Sequence, residues 1–305
     1  MILSIEIVVE KAKQVGFDLV GFAKAEILEK ESENLRQWLK KNYQSGMDYM
    51  EKNFDKRTDV KKILPEAKSV ISLGLNYYTP DTYSNEKNKG KVSRYAWGKD
   101  YHLIIWAMLD EVEKELKKID PAVEAISYVD TGPGMDKAWA VRAGIGWLGK
   151  HTNVINRENG SWFFIANIMT NYVFNYSDPI SDLCGTCTAC MDACPTDAII
   201  QEYVLDSNRC ISYLTIENKN EIPEEFKGKF DNWLFGCDIC QDVCPWNQKF
   251  PIETLVSDFR PQNKELKLDE VLEMDEEKFR EKFRTSAIKR AKLDGLKRNA
   301  SYLKK

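Results

Sequence analysis

The chain has 305 residues, enough to bury a core and to hold two domains. With 43% hydrophobic and 30% charged residues it is globular, not disordered, collagen-like or coiled-coil throughout. The net charge is −4, yet segment 282–305 carries nine basic residues against the single acid Asp294. That asymmetry suits an anionic partner such as nucleic acid, and equally a solvated basic helix.

The opening MILSIEIVVEKAK lacks a basic leader, a long apolar run and a cleavage site, so no secretory signal is expected. The most apolar window, 162–169, is about half the length that crosses a bilayer. A cytoplasmic protein with reduced thiols is the expectation. Residues 4–15 have the spacing of a helix stopping at Gly16, followed by a strand at 18–25 and a second helix at 29–42. The β-branched and aromatic run SVISLGLNYY (69–78) predicts a buried strand, and 79–90 a polar loop. Over 100–118 an amphipathic helix is expected, with Leu103, Trp106, Leu109, Val112 and Leu116 on one side. A strand at 124–129 delivers the loop DTGPG (130–134), with a helix from about Met135 to Ala143 behind it. A hairpin is predicted around Asn159-Gly160. Helices and strands mix without strict alternation, which makes the first domain α+β.

All eight cysteines fall between positions 184 and 244. The run Cys184-x2-Cys187-x2-Cys190-x3-Cys194-Pro195 has the spacing of a two-cluster ferredoxin, in which the fourth cysteine ligates the other cluster. The second run, Cys237-x2-Cys240-x3-Cys244-Pro245, is one thiol short, and Cys210 is the one left to complete it. Two sets of four follow: Cys184, Cys187, Cys190 and Cys244, then Cys194, Cys210, Cys237 and Cys240. Two CxxC pairs could also form a four-thiolate zinc site, but zinc ribbons do not need the CxxCxxCxxxCP run. The spacing therefore points to two 4Fe–4S clusters. A ferredoxin alone needs only this segment, so the preceding domain is expected to hold what the clusters reduce.

That domain carries no dinucleotide or phosphate-loop fingerprint, because the glycines at 144, 146 and 149 end a helix instead of opening one. The stretches SRYAWGKDYH (93–102), YVDTGPGMDKAWAVRAGIGWLGKHTNVIN (128–156), CGTCTACMDACPTDAI (184–199), CDICQDVCPWN (237–247) and FRTSAIKRAKLDGLKRNA (283–300) resemble the epoxyqueuosine reductases. The resemblance runs over nearly the whole chain. It implies a cobalamin-dependent oxidoreductase that performs the last step of queuosine synthesis on tRNA. It also implies a cobalamin-binding domain at 1–176, a ferredoxin-type domain at 177–250 and a helical segment with a basic tail at 251–305. Longer family members continue into a helical-repeat domain that helps hold tRNA; this sequence stops before it, which places more weight on the tail.

By the same resemblance Asp130 in the VDTGP motif is the expected proton donor, although a turn-capping aspartate would look alike. A carboxyl over a large apolar ring loses hydration, which favours its proton-carrying form. Arg57, Tyr95, Trp97, Lys150, Asn153, Ser212 and Tyr213 are expected cofactor contacts, though Tyr95 and Trp97 could be core aromatics. Tyr172 and Trp246 are expected to pack. Lys289, Arg290, Lys292, Lys297 and Arg298 are the expected tRNA phosphate contacts. Asp100-Tyr101-His102 begins the DxHxxG pattern of corrinoid-ligating histidines, but Ile105 stands where the glycine belongs. His102 is therefore expected to be structural, with cobalt free of a protein imidazole. A low-potential electron donor such as ferredoxin or flavodoxin, and a monomeric state, complete the picture. The competing readings are a reductive dehalogenase acting on a small molecule, a non-enzymatic electron carrier and a zinc-bound RNA-binding protein.

Overall fold

The computed structural model describes residues 3–304, so Lys305 of the basic tail lies outside the described residues. The N-terminal part runs α1 (Ile5–Val15), β1 (Leu19–Lys24), α2 (Glu29–Lys40), α3 (Phe54–Thr58), β2 (Ser69–Asn76), β3 (Lys89–Val92), α4 (Tyr101–Ile119), β4 (Ala125–Val129), α5 (Asp136–Arg142), β5 (Trp147–Leu148), β6 (Val154–Ile155) and β7 (Phe163–Thr170). The cysteine segment adds α6 (Ala189–Asp192), β8 (Ile199–Gln201), β9 (Val204–Leu205), α7 (Ile211–Ile216), β10 (Trp233–Phe235), α8 (Ile239–Asp242) and α9 (Pro245–Lys249). The chain then forms β11 (Glu265–Lys267), α10 (Leu268–Glu273), α11 (Glu276–Phe283) and α12 (Lys292–Lys304).

Local signals set the first elements. Ser4 Oγ accepts the Ile7 N–H to start α1, a cap that contributes about 1 kcal/mol, and Gly16 ends the helix at φ 117°. The main sheet has the order β1-β2-β7-β4, with every pair antiparallel. All eight residues of β2 are buried, because helices cover both faces of the sheet. Ile71, Leu73 and Leu75 alternate onto the side of α1 and α4, whereas Val70 packs with Trp139 of α5 on the other. At Gly21 the strand β1 passes the end of α5 so closely that a Cβ would lie 2.0 Å from the Ala143 carbonyl oxygen.

Two sequence expectations need correction. The buried side of α4 is Tyr101, Ile105, Leu109, Val112 and Leu116, while Leu103 and Trp106 are 40% and 47% exposed. Repeated steps of three slide around a 3.6-residue helix, so 103, 106 and 109 cannot all share the narrow buried stripe. Nor is there a hairpin at Asn159-Gly160. A tight Asn156–Gly160 bridge forms, but β6 pairs with β5, and β7 joins the main sheet. The turn serves another purpose. Asn247 Oδ1 accepts the Ser161 N–H at 2.6 Å, and a Cβ at Gly160 would lie 2.1 Å from that same oxygen. The turn is thus a dock for the loop that carries Cys244.

A second core joins distant segments. β3 is flanked by β10, parallel, and β11, antiparallel. Around this sheet Val92, Trp97, Leu234, Phe235, Leu266, Phe283 and Leu296 pack together. The C-terminal segment therefore shares its core with residues 89–97 and 233–235. Among the described residues no helix is long and apolar enough to cross a membrane.

Candidate redox and catalytic site

The cysteines sit on a repeated scaffold. The four-residue helices α6 and α8 carry Cys190 and Cys240, begin after residues of near-identical backbone angles (Thr188 and Asp238), and pack against each other. All eight thiols are free. Among the described residues no three Cys, His, Asp or Glu side chains are gathered as ligands of one metal ion would be. The thiols are grouped by whose charge each one feels. Cys190 has Cys244, Cys184 and Cys187 as neighbours, and Cys244 has Cys184 and Cys187. Cys237 faces Cys240 and Cys210, and Cys240 faces Cys210, Cys194 and Cys190. These neighbours are compatible with the two sets of four that the spacing suggests, although Cys240 also feels Cys190 of the other set.

Burial pushes the Cys190 thiol up to about 11 and those of Cys237 and Cys240 well above their ordinary value. Opposing that, backbone N–H groups are aimed at sulfur: those of Tyr213 and Ser212 at Cys210, of Trp246 and Asn247 at Cys244, and of Ala198 at Cys194 over 3.3 Å. Such donors suit thiolates that ligate iron and tune its potential. The donor set therefore fits two clusters, whose binding would displace the thiol protons. Cys187 is exposed, and its neighbours Gly185, Thr186 and Thr188 are exposed with it.

Buried polar groups hold these loops in place. Asp238, 1% exposed, accepts from Ser93 Oγ and, at 2.7 Å, from the Arg94 N–H, tying the second cysteine loop to the end of β3. Asn247 Nδ2 donates to Ser161 Oγ and the Gln241 carbonyl at 2.9 and 2.7 Å. Lys150, 3% exposed, donates to the Gly185 carbonyl at 2.7 Å and pairs with Glu202 at 2.6 Å.

Asp130 lies just beyond β4 at φ 56°, a left-handed conformation that aspartate tolerates better than most residues. The Thr131 N–H closes back on the Val129 carbonyl at 2.6 Å, a three-residue turn that pushes Asp130 out of the strand. Its side chain is 67% exposed. Oδ2 accepts the Tyr101 hydroxyl at 2.7 Å and lies 3.7 Å from His102 Nε2. The Asp130 N–H donates to Asp136 Oδ2 at 3.1 Å, and Asp136 Oδ1 accepts from Asn167 Nδ2 at 2.8 Å. Burial, with Asp130 close by, pushes the Asp136 carboxyl up to about 6 despite the bond from Asn167.

Lys137 identifies the space beside Asp130. Its side chain is exposed, yet burial lowers its pKa, and Asp130, Cys240 and Cys210 lie within reach of its charge. A side chain open to solvent yet surrounded by protein fits the wall of a recess. Nζ donates to the Thr152 carbonyl and to Asn153 Oδ1, both at 2.9 Å. Tyr95, Tyr49, Arg57 and Arg290 also lie within reach of the Asp130 charge. Such a recess would open beside Asp130 on the side of the Cys210 and Cys240 thiols. The two shallow hollows of about 530 and 490 Å³, lined by residues such as Lys24 and Arg142 or Glu270 and Lys282, lie apart from this chemistry.

Of the expected cofactor contacts, Arg57 and Tyr95 lie within reach of the Asp130 charge, and Asn153 accepts from Lys137. Ser212 and Tyr213 reach Cys210 through their backbone, while the Tyr213 hydroxyl accepts the Gly46 N–H at 2.9 Å. Trp97 is fully buried in the second core, its indole donating to the Val92 carbonyl at 2.6 Å. Lys150 belongs to the loop of the first thiol set. Tyr172 and Trp246 pack as expected, against Phe174 and Trp147 respectively.

The basic tail is less free than its composition suggests. Lys289 pairs with Asp100 at 2.8 Å, and Arg290 grips both oxygens of Glu217 at 2.7 and 3.1 Å. Arg298 is a structural residue: its guanidinium donates to the Leu214, Asn218 and Asn220 carbonyls. Lys292 and Lys297 enter no ion pair among the described residues.

The comparisons follow this geometry. Residues 57–131 match the family model described as Epoxyqueuosine reductase QueG, DUF1730, and residues 183–247 match a 4Fe-4S double cluster binding domain. An epoxyqueuosine reductase of Cellulophaga algicola is 45% identical over 300 residues, covering 98% of this chain and 97% of that protein. The chain belongs to the epoxyqueuosine reductase family. A second family member, from Leadbetterella byssophila, is 47% identical over 96% of each chain. Among solved structures, an epoxyqueuosine reductase with an epoxyqueuosine-modified tRNA-Tyr stem loop superposes with a TM-score of 0.92 at 34% identity, covering 98% of this chain and 80% of that one. The Streptococcus thermophilus enzyme superposes with a TM-score of 0.90 at 30% identity, covering 99% and 81%.

Sequence reasoning reached the thiols and Asp130 through motifs. It missed Tyr101, His102 and Lys137 as neighbours of Asp130. The one available signal was the DYH triplet, set aside for want of a glycine at 105.

Proposed function

We propose that this protein reduces the epoxide of epoxyqueuosine, at the wobble position of a tRNA, to the alkene of queuosine. The observation that carries this reading is Lys137, within reach of the charges of Asp130, Cys210 and Cys240, in a chain of this family. The two thiol sets ligate two 4Fe–4S clusters, with Cys194 and Cys244 exchanged between motifs. Electrons enter from a low-potential carrier such as a ferredoxin or flavodoxin at the exposed Cys187 edge.

A recess beside Asp130 would hold cobalamin among Arg57, Tyr95, Lys137 and Asn153, on the side of Cys210, whose sulfur the Ser212 and Tyr213 N–H groups address. When bound, cobalamin supplies a low-potential cobalt centre for the two-electron reduction. Asp130 holds the proton for the departing oxygen. The Tyr101 hydroxyl steadies the carboxylate left behind, because a bond to a charged acceptor is stronger than one to a neutral acceptor. Asp136 fixes the turn through the Asp130 N–H.

On the tRNA side, Lys292 and Lys297 neutralise phosphates, while a splayed anticodon loop places the modified base in the recess. The protein acts as a cytoplasmic monomer. A small-molecule dehalogenase has no use for this basic face, and the family relatives do not favour it. The test is anaerobic reconstitution with iron, sulfide and cobalamin, followed by incubation with epoxyqueuosine-containing tRNA or with a chlorinated aromatic. Conversion of the tRNA alone supports the proposal; dechlorination alone refutes it.

A further inference from the structure

Two protons must reach one oxygen in the reaction proposed above. Epoxide, two electrons and two protons become alkene and water. The first carbon–oxygen bond breaks as the oxygen takes one proton, and the second breaks as it leaves as water with the other. A reduced one-electron carrier supplies the electrons. A single carboxyl delivers one proton and must then be reloaded.

With substrate seated over Asp130 and water displaced from its otherwise exposed side chain, few protein groups can do this. Burial and the adjacent Asp130 push the Tyr101 phenol far up, so it keeps its proton. Lys137 is committed to Thr152 and Asn153. Asp136 is occupied by the Asp130 N–H and Asn167. Arg57 and Arg290 hold their protons at any working pH.

His102 differs. Its Nδ1 meets Asp100 Oδ1 at 2.8 Å, and its own N–H donates to that oxygen at 3.1 Å. Lys289 holds the other Asp100 oxygen at 2.8 Å. Burial would raise the Asp100 carboxyl, but the bonds from His102 and Lys289 outweigh it and hold it at about 2, so Asp100 stays an anion. An anion at Nδ1 fixes the ring with its proton there. The other nitrogen, Nε2, is buried without a hydrogen-bond partner and faces Asp130 Oδ2 at 3.7 Å. A small rotation of the exposed Asp130 carboxyl, or one water, closes that gap.

We propose that His102, clamped by Asp100 and Lys289, returns the second proton to Asp130; this rests on the epoxide-reductase reading. Protonated at Nε2, the imidazolium passes that proton to the Asp130 carboxylate once the first has gone to oxygen, and it is recharged at Nε2 between turnovers through the Asp130 carboxyl, whose side chain is 67% exposed to water once product has left. His102 acts through Asp130 and is a relay residue, not a catalytic one. The bland alternative is a ring stacked between Tyr101 and Trp106, at 4.1 and 5.4 Å, that only packs.

The chain has two histidines, so nitrogen-15 NMR of histidine-labelled holoprotein resolves each ring. The neutral His102 ring is expected as the Nδ1–H tautomer, with an Nε2 resonance that moves in Asp130→Asn while His151 does not. An Nε2–H tautomer, or no response, overturns the relay. In pre-reduced enzyme, His102→Gln should lower kcat about tenfold to a hundredfold with KM for tRNA within about twofold. Added imidazole should restore His102→Ala. Unchanged kcat, or a raised KM with kcat intact, overturns the proposal. If the wild type leaves tRNA untouched, the functional reading fails while the NMR result still decides the relay.

Discussion

The Tyr101 hydroxyl donates to Asp130 Oδ2 over 2.7 Å, linking the first turn of α4 to the turn after β4. The bond reaches across 29 residues of sequence and holds a carboxylate that would otherwise swing freely on an exposed turn. A hydrogen bond to a charged group contributes about 1.5–3 kcal/mol. Tyr101→Phe should therefore lower kcat about tenfold to a hundredfold while iron content stays unchanged, as steady-state assay and iron analysis would show.

Asp130→Asn keeps the turn and the Tyr101 contact but has no proton to give. Turnover should fall by at least about a thousandfold, with both clusters and cobalamin still bound in absorption spectra. Full activity in this variant would reject Asp130 as the acid.

The exchange of cysteines between motifs has its own test. Cys194→Ala should damage the same cluster as Cys237→Ala, although Cys194 belongs to the first motif. Each variant should lose about four of eight irons. Electron paramagnetic resonance of the reduced variants should then show the same surviving cluster.

Asp136 makes stability depend on pH. Its native carboxyl, at about 6 because of burial, binds a proton more tightly than the unfolded chain does. Between about pH 4 and 6 the native state thus holds more protons, and stability falls as pH rises through that window. The loss is about 2–3 kcal/mol and persists at neutral pH. Denaturant unfolding should show Asp136→Asn with a flatter profile between about pH 4 and 6, and assay should show lower turnover, because the Asp130 N–H loses its charged acceptor.

Lys292 and Lys297 differ from their neighbours in the tail. Replacing either with alanine should reduce the salt dependence of tRNA binding by about one unit of slope. Arg298→Ala should instead lower the melting temperature, since its guanidinium satisfies three backbone carbonyls.

The two-cluster segment was legible because ligand spacing in a cluster is local, and residues 183–247 match a 4Fe-4S double cluster binding domain. The strand carrying Asp130 was legible from its apolar run and the glycines behind it. What could not be read were contacts between distant segments. A lysine in the first turn of a short helix looks like a solvated charge, and nothing in sequence places Lys137 beside Cys240. Lys289 and Arg290 read as free cations until the fold brings Asp100 and Glu217 to them. Trp97 shares a segment with Tyr95, yet the turn between them sends one ring between Tyr101 and Phe235, within reach of Asp130, and the other fully into the second core.

A reductive titration of reconstituted protein with epoxyqueuosine-containing tRNA tests the central claim most directly. Two electron equivalents should disappear for each queuosine that nucleoside analysis detects. Fully loaded protein that consumes no electrons, or leaves every epoxide intact, would contradict the account.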